Sequence, residues 1–212
     1  MNVWYVSYGS NICYDRFLCY IIGEKPTGSD KKEKGCRDQT TPKANEKIEI
    51  PYPLYFAKEK SKWGAGGVAF IDYEKLNDHK TYGRMYLITE EQFIDVVAQE
   101  NDQEKINIDL QEVIKNGFST INDGWYGRIM YLGVKDGAPM FTFTSNQQIE
   151  NATFNVPTSS YLKTIARGLI QVGLSHSEIV EYFLKQHGIK GHFTNEELFE
   201  YIFPTLKFLK DQ

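Results

Sequence analysis

Residues 3–7, Val-Trp-Tyr-Val-Ser, are β-prone, and they run without a spacer into Tyr8-Gly9-Ser10-Asn11 and then into a helically spaced stripe of Tyr14, Phe17, Leu18 and Ile21. Strand, tight loop and helix therefore follow one another within some twenty residues. At such a join successive backbone N–H groups and the helix dipole favour an anion, a carboxylate among them. Ordinary capping uses the same residues: Ser10 or Asn11 can satisfy the first helical N–H groups while Gly9 eases the turn.

Downstream, residues 24–47 are rich in Gly, Pro, Ser and Lys and read as a long surface excursion, with the run Lys31-Lys32-Glu33-Lys34 solvated. Strands are expected over residues 51–57, 67–73 and 82–88, with the glycine-rich bend at 64–67 as a hairpin corner. That bend lacks the Lys and Ser/Thr of a phosphate loop and the spacing of a dinucleotide fingerprint. A helix is expected over residues 90–100, opened by a capping box of Thr89 and Gln92 with Ile88 and Phe93 closing over it. Residues 101–123 read as irregular. A hairpin follows, with strands 126–134 and 140–144 about an Asp136-Gly137 turn. Helical stripes fill the last third: Leu162, Ile165, Ala166 and Leu169, stopping near Gly173, then two helices opened by the capping-box pairs Ser175/Glu178 and Thr194/Glu197. Gly188 separates those two, and Pro204 ends the second.

One carboxylate falls where hydrocarbon is expected. On the 90–100 helix the inner face is set by Phe93, Val96 and Val97, and Glu100 lies seven residues beyond Phe93 on that face. Burial without a cationic partner favours the protonated form of a carboxyl group, which suits a residue that takes and returns a proton. Most glutamates are exposed, and an outward turn at the frayed helix end is the plain alternative.

Composition removes several function classes. A net charge of −4 and a pI near 5.6 leave no basic footprint for nucleic acid. The 14 Tyr and 13 Phe, without an interleaved basic stripe, read as core and pocket walls. Cys13, Cys19 and Cys36 form neither a CxxC pair nor a disulfide framework, so a reducing, cytoplasmic setting without a metal is expected. No apolar run approaches the ~20 residues of a membrane span, and residues 1–10 lack a signal-peptide pattern.

The opening Val3 to Asn11 resembles the N-terminal strand and YGSN loop of the gamma-glutamylcyclotransferase-like proteins. Gln99-Glu100 is similar to that family's catalytic-glutamate segment, and Pro157, Tyr161, Ile165, Gly168, Gly173 and Leu174 resemble its C-terminal helix pattern. The resemblance covers residues 3–174 with interruptions and implies an α+β fold: a small mixed β-barrel of about six strands with flanking helices. Residues 175–212 would then be a helical extension packed on that domain. It also implies Glu100 as general acid/base and Tyr8, Gly9, Ser10, Asn11 and Tyr126 as the substrate-binding set, with no cofactor. The implied substrate is a small gamma-glutamyl amide or peptide, converted to 5-oxoproline and a free amine.

Three departures stand beside the resemblance. Asn101 follows the glutamate where the family commonly has Gly, and Asn tolerates a left-handed backbone. The segments 24–47 and 101–123 are longer than expected and border the site. A second family tyrosine falls near Phe141 or Phe143, where no hydroxyl exists. The alternative reading is a non-catalytic module of the same fold that captures a carboxylate ligand. A thiol hydrolase built on Cys13 requires one of His79, His176, His187 or His192 beside the sulfur.

Overall fold

The computed structural model describes residues 1–27, 32–61 and 63–206. Its strands are β1 (Asn2–Ser7), β2 (Ala44–Ile50), β3 (Leu54–Ala57), β4 (Lys60–Ser61), β5 (Gly64–Ala65), β6 (Val68–Ile71), β7 (Thr81–Thr89), β8 (Phe118–Thr120), β9 (Arg128–Lys135) and β10 (Ala138–Thr144). Its α-helices are α1 (Tyr14–Ile22), α2 (Glu90–Glu100), α3 (Leu110–Asn116), α4 (Ser159–Gln171), α5 (His176–Leu184) and α6 (Asn195–Ile202).

Six strands form one mixed sheet in the order β2-β7-β1-β10-β9-β8. β1 lies near its centre, antiparallel to β7 and parallel to β10. Because successive side chains of a strand point to opposite faces, Val3 and Tyr5 enter one core while Trp4, Val6 and Tyr8 enter another. Both faces are covered, which is why residues 3–6 of β1 are continuously apolar rather than alternating. The Tyr5 face packs against α1, α2 and α3, through Phe17, Phe93, Val97 and Val113 among others. The Trp4 face packs against β3, β6 and helices α4 to α6, through Phe56, Ile165, Phe183 and Leu198 among others. Residues after 174 thus share a core with the strands; the last part of the expected extension, 207–212, lies outside the described residues, as do residues 28–31 of the excursion, including Lys31.

Backbone ladders among the described residues do not close the six strands into a barrel. β3 and β6 form a separate two-stranded ladder, as do β4 and β5, and β3 makes isolated bridges to His187 and Phe154. The β3–β6 pair is tied to the main sheet by a side chain: the Thr144 hydroxyl receives the Ile71 N–H at 3.1 Å and donates to the Ile71 carbonyl at 2.7 Å.

Elsewhere the structure corrects the sequence reading. β2 begins inside the expected excursion; it is an edge strand whose Asn45, Glu46, Lys47 and Glu49 are all exposed, and these polar residues on both faces hide its pattern. The strand expected from residue 51 begins at Leu54, since Pro51 and Pro53 cannot donate to a ladder. Segment 101–123, expected to be irregular, contains α3 and β8. α3 is seven residues long, too short to show a periodic stripe, and is opened by the Asp109 carboxylate accepting from the Gln111 and Glu112 amides. The β9–β10 hairpin forms as expected, with positive φ at Asp136 (49°) and Gly137 (77°).

Candidate active site

The loop after β1 is a 3-10 turn. Ile12 N–H bonds the Gly9 carbonyl at 3.0 Å and Cys13 N–H bonds the Ser10 carbonyl at 3.2 Å. α1 starts only at Tyr14, so residues 9–11 do not form its N-terminus as expected, and neither Ser10 nor Asn11 caps it. The Tyr14 amide is instead met by Gln171 Oε1 at 3.0 Å, from the end of α4. Tyr8 continues the inward alternation of β1, and its buried hydroxyl donates to the Phe143 carbonyl at 2.7 Å.

α4 holds this turn in place. The Tyr161 hydroxyl accepts from Ala69 N–H at 3.1 Å and lies against Gly9, where an added Cβ would meet it at 3.3 Å. Two helical turns later, a Cβ on Gly168 would stand 2.4 Å from the Cys13 nitrogen and 2.6 Å from the Ile12 carbonyl carbon. Only a residue without a side chain lets the helix backbone approach so closely.

α2 has the expected bounds. Its capping box is complete: Thr89 N–H bonds Gln92 Oε1 at 2.9 Å and Gln92 N–H bonds Thr89 Oγ1 at 3.2 Å. Phe93, Val96 and Val97 are fully buried, and Glu100 is the final helical residue, half-buried. Asn11 Nδ2 donates to Glu100 Oε1 at 3.0 Å and lies 3.3 Å from the Tyr5 hydroxyl. Gln99 locks α2 to its neighbours, donating to the Tyr20 carbonyl and accepting from Gly35 N–H, each at 3.1 Å. The backbone after the glutamate differs from expectation: Asn101 has φ −101°, and Asp102 takes the positive angle, 52°. Asn101 is held by its side chain, which donates to the Val97 carbonyl at 2.9 Å and the Tyr126 carbonyl at 3.2 Å.

Glu100, Tyr8, Gly9, Ser10, Asn11 and Tyr126 all line one cavity of about 730 Å³, a size common among small-molecule sites. Tyr126 precedes β9 rather than lying within it; its ring stacks on Phe70 at 5.2 Å and meets Phe143 edge-on at 5.7 Å, and its hydroxyl donates to the Ala69 carbonyl at 3.2 Å. Phe143 lines the cavity and Phe141 does not. Burial, and then the charge of Glu100, push the Tyr5 and Tyr20 hydroxyls above their ordinary pKa. Burial does the same at Tyr126 and Tyr161, so Tyr5, Tyr126 and Tyr161 face the cavity as neutral phenols at ordinary pH.

Sequence reading missed Arg16. It is 5% exposed, on the buried side of α1. Its NH2 group donates to the Tyr20 hydroxyl at 3.2 Å and to Glu33 Oε1 at 2.9 Å, and its guanidinium carbon lies 5.1 Å from the ring centres of both Tyr20 and Trp63. The available signal was an arginine one residue before Phe17 and four before Tyr20, inside an otherwise apolar stripe.

Cys13 is fully buried and its sulfur meets Arg167 Nε at 3.2 Å, not a histidine. His79, His187 and His192 are exposed, and His176 packs edge-on against Phe203 at 4.6 Å. Among the described residues no three or more His, Cys, Asp or Glu side chains gather to hold a metal, and no helix is long and apolar enough to cross a membrane.

No family model matches the chain. It is similar to a solved structure described as gamma-glutamyl cyclotransferase, with a TM-score of 0.50 at 14% identity, over 97% of this chain and 99% of that one. The fold is therefore that of the gamma-glutamyl cyclotransferases, an α+β arrangement of a mixed sheet with helices on both faces. Two further solved structures align less well: an uncharacterized human protein (TM-score 0.48, 14% identity, 94% of this chain and 98% of that one) and YkqA from Bacillus subtilis (TM-score 0.43, 17% identity, 80% of this chain and 49% of that one). In sequence the chain is 32% identical over 200 residues to Histone deacetylase 5 of Arabidopsis thaliana, a match to 87% of this chain and 30% of that protein. The chain thus spans less than a third of that relative's length.

Proposed function

We propose that the chain is a cyclotransferase acting on gamma-glutamyl amides or peptides, with Glu100 as the proton-transfer group. The observation that carries the reading is the position of Glu100: at the end of a helix whose inner face is otherwise hydrocarbon, on the wall of the 730 Å³ cavity, hydrogen-bonded to Asn11 of the β1–α1 loop.

A free α-ammonium is not a nucleophile. Glu100 takes a proton from it, the amine attacks the gamma-carbonyl carbon, and a five-membered lactam closes. The bond from that carbon to the leaving nitrogen then breaks as the proton is returned to that nitrogen. One of the three hydrogens of the α-ammonium stays in 5-oxoproline and the other two leave on the departing amine, both by way of Glu100. Asn11 fixes the carboxylate rotamer, and the neutral phenols of Tyr5 and Tyr20 surround it without competing for the proton.

Glu100→Gln keeps the shape and removes the basic oxygen. Its turnover is expected to fall on the order of a hundredfold or more while substrate still binds. The measurement is 5-oxoproline release, by mass spectrometry, from a panel of gamma-glutamyl amides. Equal turnover in wild type and variant ends the proposal, and the panel names the leaving amine. If gamma-glutamyl ligands bind the wild type with no turnover of any panel member, the protein is instead a binding module of this fold.

A further inference from the structure

A guanidinium that is 5% exposed is costly to bury unless each of its N–H groups finds an acceptor. Arg16 meets that condition on one side only. Its NH2 is held by Tyr20 and Glu33, while its buried Nε has no partner among the described residues, and the side chain borders the cavity. The planar edge formed by Nε and NH2 binds a carboxylate through two parallel hydrogen bonds; here Nε is open and NH2 is shared with Tyr20 and Glu33. Trp63 and Tyr20 flank the guanidinium at 5.1 Å and hold it in place.

Arg16 and Glu100 also share a neighbour. The Tyr20 hydroxyl accepts from Arg16 at 3.2 Å, and the charge of Glu100 also bears on that hydroxyl, so a cation and an anion act on one oxygen. An α-amino acid carries the complementary pair on a single carbon. Resting on the cyclotransferase reading of this cavity, we infer that Arg16 is a substrate-positioning residue that receives the α-carboxylate of the gamma-glutamyl group, with the α-ammonium thereby directed to Glu100. The carboxylate is then bound by a side-chain cation on α1, in addition to any main-chain donors of the loop. Glu33 is the internal competitor, because it occupies NH2, the terminal nitrogen of that same edge, until substrate arrives.

The test uses the Glu100→Gln protein, in which bound ligand is not consumed, and two probes: gamma-glutamyl methylamide and its analogue with the α-carboxylate converted to a carboxamide. Binding is measured by calorimetry, with thermal melting as the check on folding. Adding Arg16→Lys keeps the charge and removes the fork. It is expected to weaken the carboxylate probe on the order of tenfold to a hundredfold and to leave the carboxamide probe within a factor of about two. Adding Glu33→Gln instead frees the guanidinium of its competitor and is expected to tighten the carboxylate probe several-fold. This second variant decides the matter if Arg16→Lys fails to melt cooperatively. Retention of the full carboxylate preference in Arg16→Lys, or no gain in Glu33→Gln, overturns the assignment and makes Arg16 a structural ion-pair partner, while the cyclotransferase reading stands on the turnover test. If neither probe binds wild type or Glu100→Gln and no panel substrate turns over, the cyclotransferase reading falls, and this assignment with it.

Discussion

Under α4, α5 and α6 the sheet meets Phe56, Phe70, Leu162, Ile165 and Phe183, a core of hydrocarbon and aromatic rings. Under α1 and α2 it meets rings as well, with Tyr5 stacked on Phe143 at 5.3 Å and Phe17 on Tyr86 at 4.0 Å. Here, however, the helices also bring Arg16 and Glu100 inward. The first core is scaffold: its helices reach the cavity mainly through Tyr161, and its service to the site is to support the loop. The second core accepts charge because each charged group is met by hydroxyls, an amide or an opposite charge. On the proposed reading one sheet serves both tasks, with the charged groups of the cavity brought in by the helices of one face and the other face supplying mainly apolar and phenolic wall, Tyr8 and Tyr161 included.

If the division is right, damage to the scaffold face alters stability without altering the reaction. Phe183 is fully buried, edge-on to Phe56 at 6.3 Å. Phe183→Ala is expected to cost about 3–5 kcal/mol in chemical denaturation. Well below its melting temperature, the variant should retain KM for a gamma-glutamyl amide; a raised KM breaks the division.

The opposite outcome is expected at Asn11, whose side chain holds Glu100. Asn11→Ala removes a hydrogen bond to a charged group, worth about 1.5–3 kcal/mol. On the proposed mechanism the loss falls mainly on kcat, which steady-state kinetics resolve; an unchanged kcat removes Asn11 from the machinery.

Gly168 tests the point where the two faces communicate. A methyl group there collides with the Ile12–Cys13 backbone, so Gly168→Ala is expected to cost about 1–3 kcal/mol and also to lower turnover, because the turn carrying Asn11 must shift. Loss of stability with full turnover would show that α4 supports the fold and not the site.

The smallest effect belongs to the caps of the scaffold helices. Hydrogen bonds from the Ser175 hydroxyl and amide hold the Glu178 carboxyl below its ordinary pKa, at distances of 2.7 and 2.8 Å. The stabilisation is therefore present at neutral pH and is lost as the pH falls through that lowered value. Ser175→Ala is expected to flatten the acid limb of stability against pH slightly, with turnover unchanged; thermal melts across the acid range measure it.

Much of the scaffold was legible. The capping boxes at Thr89, Ser175 and Thr194 all form, and the Asp136-Gly137 turn joins its two strands. These signals act within three or four residues, so the chain carries them wherever it is placed. β2 was hidden because an edge strand can expose polar side chains on both faces, and α3 because seven residues barely complete two turns. Of the cavity wall, the inward position of Glu100 was legible from the helical periodicity of α2, and the 8–11 loop from the strand that enters it. Arg16 was not, because an arginine in a helix stripe acquires meaning only when Glu33, Tyr20 and Trp63 surround it.

By itself the sequence determined the local pieces: an apolar strand entering a tight loop, a capped helix ending in Glu100, and capped helices in the last third. Each is dictated by hydrogen bonds and side-chain periodicity within a few residues. The tertiary structure alone decided that Tyr5, Asn11, Arg16, Glu100, Tyr126 and Tyr161 line the same cavity, and that the loop rests on a glycine of α4. Those contacts join residues far apart in the chain. They arise because both faces of one sheet must be buried, a condition that no local segment encodes.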